Sequence, residues 1–197
     1  VSEVAAPWCA DIVGMTLRWT GYAAAAWAIA YAVGVRFYQA AGGTIGLTGT
    51  FDDPEGLRQA SFNAGVLLLL VGIGALAFVR PWGLRLPRWL VIAPALTGSA
   101  LAIAHALTAY VTKPLHALDV IELQFKGRSG YNETSLILWD LLFYEPWFLG
   151  LGVLCTLGAL YHHDRTGGSR IGRRGLLVYT AVATLILWVY AVVAVIT

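Results

Sequence analysis

An all-α integral membrane bundle of about five transmembrane helices is the fold class the sequence predicts, and three observations carry it. Of the 197 residues, 58% are hydrophobic and only 12% charged, about half the charged share of a soluble domain. Mean hydropathy is +0.70. The apolar runs are helix-length, and the ten-residue alternation of an outer-membrane barrel is missing. Lipid offers no partners to backbone N–H and C=O groups, so such runs form helices that satisfy their own. The chain reads as one membrane domain, residues 1–197. Net charge is +2, with basic residues dispersed in short loops, so nucleic acid is not an implied partner. Cys9 and Cys155 show no CxxC spacing or His pairing, so no disulfide, metal or cofactor is implied.

Residues 1–18 read as a cytoplasmic tail, with no signal-peptide pattern. The first span covers 19–38, flanked by Trp19 and Tyr38 as interfacial aromatics. Its middle, GYAAAAWAIAYAVG, is built of small residues and predicts a central packing helix. Loop 39–60 is glycine-rich, and Asp53-Pro54-Glu55 turns it into the next helix. The second span covers 61–79 and the third 89–111, where Pro94 and Gly98 interrupt an otherwise apolar run. Residues 112–134 form the longest loop, and LHALDVIELQF within it has the pattern of a short interfacial or re-entrant helix. The capping type of Asn132 and Glu133 then leads into the fourth span, 135–160. The fifth covers 176–196.

Arginines set the orientation. Loop 80–88 carries three and loop 161–175 carries four, so both are expected inside, the N-terminus inside and loops 39–60 and 112–134 outside. Lys113, Lys126 and Arg128 in the second outer loop argue mildly the other way. With that orientation Arg36, Gln39, His105, Asp140 and Glu145 all fall in the outer half of the membrane. The inner halves hold few ionisable groups. A charge at membrane depth costs about 2.5–3.5 kcal/mol on insertion scales, which makes this coincidence of depth the main functional signal.

The fourth span holds the two acids. Asp140 and Glu145 are five residues apart, so on a regular helix they sit about 140° from each other and about 7.5 Å apart along the axis. Pro146 has no N–H, which frees the carbonyl of Leu142 and loosens the turn at Glu145. Asp140, Tyr144 and Trp147 share one face. Candidate catalytic residues are therefore Glu145, Asp140 and His105. Candidate substrate-binding residues are Arg36, Trp139, Tyr144 and Trp147. The structural alternative is an ion pair from Glu145 to Arg36, or a hydrogen bond to His105. His162 and His163 are adjacent, so they read as interface residues and not as a metal pair.

Two segments, GYAAAAWAIAYAVGVRFYQAAGGTIGL (21–47) and YEPWFLGLGVLCTLGAL (144–160), resemble a family of small actinobacterial multi-spanning membrane proteins of unknown function. The resemblance implies the membrane fold and brings no activity, cofactor or catalytic residue. That family is commonly four-spanning, so the fifth span reads as an extension.

Three functions fit the sequence. The first is a small membrane protein that binds a lipophilic molecule or joins other membrane subunits. The second is an enzyme on an isoprenoid or other lipid, with a buried carboxyl as general acid and aromatic walls around the cation. The third is a proton-coupled transporter, whose inverted repeats are not evident. The lipid bilayer is the expected partner, in the cell membrane, with a multi-pass topology.

Overall fold

The structure, a computed structural model, describes residues 7–125 and 127–196. The first six residues of the expected tail, Lys126 and the Cys9 side chain lie outside the described residues. The protein is all-α. Helix α1 (Pro7–Tyr31) runs without a break into a π-helical turn (Ala32–Phe37) and a last α-turn (Tyr38–Ala40). A two-residue strand β1 (Thr50–Phe51) precedes α2 (Pro54–Leu76). A 3₁₀ turn (Pro81–Arg85) leads to α3 (Arg88–Ala117). Strand β2 (Arg128–Ser129) is followed by α4 (Glu133–Trp139), a second π-helical turn (Asp140–Tyr144) and α5 (Glu145–Arg165). The last helix is α6 (Arg170–Ile196). Four helical bodies are long and apolar enough to cross a membrane: Pro54–Leu76, Arg88–Ala117, Glu133–Arg165 and Arg170–Val195.

The helices pack in the order α2, α1, α5, α3, α6. Helix α1 lies between α2 and α5 because its small residues allow close approach. Ala24, Ala25, Ala28 and Ala32 are buried there. The core continues through Ala75, Phe78, Val91, Leu96, Cys155 and Ala159. Gly152 brings α5 onto α3, since a Cβ there would sit 2.6 Å from Ile103 and 3.0 Å from the Ser99 carbonyl. Although consecutive in sequence, α2 and α3 are not close-packed neighbours. Between them, backed by α5, lies an apolar cleft of about 360 Å³ lined by Leu70, Phe78, Trp82, Pro94 and Cys155.

Some segments differ from the sequence reading. Residues 7–18, expected as tail, are helical. Helix α3 passes through Pro114 to Ala117, so Lys113 belongs to the helix and not to the loop. The expected interfacial helix in 112–134 is not formed. Asp119 adopts a positive φ of 57°, which ends the helix. His116 holds the following turn by accepting the Leu123 N–H at Nδ1, 3.2 Å away, while its Nε2 faces Glu133 Oε1 at 2.7 Å. The two caps form as read. Asp53 Oδ1 accepts the Gly56 N–H at 2.8 Å, and Asn132 Oδ1 accepts that of Ser135 at 2.8 Å. His162 and His163, read as interface residues, are both buried, His163 against the Arg88 guanidinium. Antiparallel pairing of β1 with β2 ties the two long loops together over one end of the bundle.

Candidate functional site

That end of the bundle contains a chamber of about 320 Å³. Its polar lining comes from several elements, including Thr48 of the loop before β1. The π turn of α1 gives Arg36, followed by Gln39. Helix α3 gives His105 and Lys113. The second π turn and the start of α5 give Asp140, Tyr144 and Glu145, and β2 gives Arg128. Trp139, Phe148, Phe51 and Leu136 complete its walls.

The centre of the chamber is a two-carboxylate bridge. Lys113 Nζ stands 2.7 Å from Asp140 Oδ2 and 3.3 Å from Glu145 Oε1. The Glu145 side chain is 3% exposed, Lys113 12% and Asp140 31%. One cation reaches both acids because of the π turn. The Glu145 N–H bonds the Asp140 carbonyl, five residues back. That i→i+5 closure stacks the two residues, where a regular α-helix would set them far apart in rotation. The expectation that Glu145 lies to the side of the Asp140 face is thereby corrected. With the Glu145 N–H engaged at Asp140, the Leu141 carbonyl loses its usual helical donor, and the Tyr110 hydroxyl supplies one at 3.2 Å.

Glu145 therefore pairs with Lys113, and the anticipated Glu145–Arg36 pair does not form. Glu145 holds α5 to α3 instead of to α1. His105 Nε2 is 3.7 Å from Glu145 Oε2, beyond hydrogen-bond reach, and its side chain is 59% exposed. Glu145 Oε2 is buried without a hydrogen-bond partner. Phe148 packs edge-on to the His105 ring, with centroids 4.6 Å apart.

A second polar chain runs along the opposite wall. Arg36 Nη1 donates to Gln39 Oε1 at 3.4 Å, and Gln39 Nε2 donates to the Tyr144 hydroxyl at 3.1 Å. The Arg36 guanidinium also lies over the Tyr31 ring, 5.4 Å from its centroid. Gly46 allows the loop to touch this wall: its φ is +80°, and a Cβ there would lie 2.5 Å from the Tyr144 hydroxyl.

Six of the seven candidates line this one chamber: Glu145, Asp140, His105, Arg36, Trp139 and Tyr144. Trp147 is not among its lining residues. Its ring stacks on Trp27, centroids 4.3 Å apart, and its carbonyl accepts Trp27 Nε1–H at 3.0 Å, so it fastens α5 to α1. Sequence reasoning missed Lys113 and Arg128. Lys113 continues a buried stripe from Ala106 and Ala109 at spacings of three and four, a legible signal lost by ending the span at residue 111. Arg128 has no such signal, because the β1–β2 pairing that carries it into the chamber is two residues long. Among the described residues no cluster of three or more His, Cys, Asp or Glu has the arrangement of a metal site.

Comparisons of the chain with protein-family models, with curated proteins and with solved structures each return no match.

Proposed function

We propose that this is a five-span protein of the cell membrane, N-terminus inside, that binds an amphiphile with its polar end in the chamber. One observation carries the reading. Buried polar atoms converge on a cavity that is half polar and half apolar, and several of them lack partners within the protein. Desolvated polar groups are costly unless something satisfies them. A ligand pocket is the usual reason to retain them. The arginine-rich turns 80–88 and 165–174 lie at the end of the bundle away from the chamber, which supports an outward-facing chamber. A subunit without a pocket fits less well, since this cavity exists. A transporter fits less well too, because the cleft at the other end is apolar.

The test is a chamber-filling substitution. Thr48→Trp should strip co-purifying amphiphiles from the detergent-extracted protein while the helical circular-dichroism signal stays intact. An unchanged lipid profile would sink the reading.

A second reading, general-acid catalysis on the bound amphiphile, is favoured by Glu145 Oε2. That atom is buried, has no hydrogen-bond partner and stands next to His105. Lipid profiles of a deletion strain and a Glu145→Gln strain separate the two. Catalysis requires both to accumulate the same precursor.

A further inference from the structure

Three cations line the chamber, Arg36, Lys113 and Arg128, against two carboxylates. Lys113 engages both carboxylates itself. Arg36 and Arg128 therefore have no carboxylate partner among the described residues. Arg36 Nε is buried and makes no hydrogen bond. The polar neighbours of this guanidinium are neutral: the Gln39 amide, through one long bond, and the Tyr31 side chain. Arg128 faces the Phe51 ring at 4.8 Å. A guanidinium stays charged in a protein, so it cannot relieve the cost of burial by losing its proton. Three cations against two carboxylates leave the chamber with a surplus of one positive charge, and both half-buried guanidiniums lack a carboxylate in ion-pair contact.

The neutral groups nearby are also donors in waiting. Thr48 Oγ1 is buried without a partner and lines the same chamber. The Tyr144 oxygen already accepts from Gln39, which leaves its O–H free to donate. Two planar guanidiniums plus two hydroxyl donors suit an oxyanion, which arginine binds through paired N–H groups. Leu47, Leu57 and Leu136 line the same space, which suits an apolar chain attached to that oxyanion.

We propose that the chamber takes the anionic headgroup of an amphiphile, a phosphate or carboxylate, with Arg36 and Arg128 as its direct ligands. The proposal rests on the amphiphile-binding reading above and names the chemistry of the ligand. Lys113, Asp140 and Glu145 form an ion-paired floor beneath it, and the arginines carry the chamber's surplus of positive charge.

The experiment uses the full chain in nanodiscs of phosphatidylcholine doped with either phosphatidic acid or uncharged diacylglycerol, with retained lipid read by native mass spectrometry. Wild type should enrich phosphatidic acid. Arg36→Gln and Arg128→Gln should each cut that enrichment about tenfold or more, as expected for a lost charge-assisted bond, and Arg170→Gln, outside the chamber, should not. Arg128→Gln lies on a short surface strand and carries the test should Arg36→Gln not fold. A parallel arm adds inorganic phosphate. Competition with phosphatidic acid supports the shared oxyanion subsite. Phosphate binding with no lipid enrichment assigns that subsite to a free anion and overturns the headgroup. Equal enrichment in wild type and both variants overturns the arginine assignment. Selective retention of diacylglycerol over phosphatidic acid overturns the anionic proposal and leaves amphiphile binding standing. Retention of neither lipid overturns both.

Discussion

Replacing Lys113 by methionine removes the cation from between Asp140 and Glu145 and leaves the apolar stem largely in place. Breaking a buried ion pair by deleting one partner costs about 3–5 kcal/mol, because a charge stays behind without compensation. Here the exposures apportion it. Glu145, at 3%, carries the full penalty, while Asp140, at 31%, recovers part of its hydration. A net loss of about 2–4 kcal/mol follows, or a fall in Tm of about 4–16 °C for a chain of this size. The assay is thermal unfolding of detergent-solubilised protein, followed by circular dichroism. Lys113→Met/Glu145→Gln must then recover most of the loss, since the orphaned charge is gone. A single variant that costs under about 1 kcal/mol, or a double variant no better than the single, would refute the claim that the Lys113 bridge to both acids holds the fold.

Four further outcomes are expected. Trp27→Phe frees the Trp147 carbonyl and should cost about 0.6–1.7 kcal/mol in the same unfolding assay, the range for interhelical bonds in membranes. Tyr110→Phe leaves the Leu141 carbonyl unpaired beside Pro146 and should cost about 1 kcal/mol. Gly46→Ala combines a left-handed backbone with a clash against Tyr144. It should destabilise by about 1–3 kcal/mol and lower retention of co-purifying lipid, read by mass spectrometry. For the proposed topology, Arg85→Cys should resist an impermeant maleimide on whole cells and Asp119→Cys should label; the opposite pattern inverts the orientation.

The helical class was legible because it rests on bulk properties: apolar runs of bilayer length and a small-residue first helix. The grouping of Arg36, His105, Asp140 and Glu145 was legible too, since they line one chamber. The pairing inside it was not. A regular helical wheel turns Glu145 away from Asp140, and nothing in DLLFYEP announces an i→i+5 closure. The third span was ended at residue 111, although α3 continues through Pro114 to Ala117, and so Lys113 was assigned to the loop. Trp147 was placed on a face shared with Asp140 and Tyr144. The same π turn rotates it away, onto Trp27.

Both π turns occur where a long helix enters the chamber, one in each facing wall. Each amounts to one surplus residue threaded into an otherwise regular α-helix. A surplus residue re-indexes everything beyond it by about 100°. The side chains at the mouth and the side chains that pack the bundle below therefore follow separate phases. Excising one residue from 140–144 would put Asp140 back on the phase of α5 and withdraw it from Lys113.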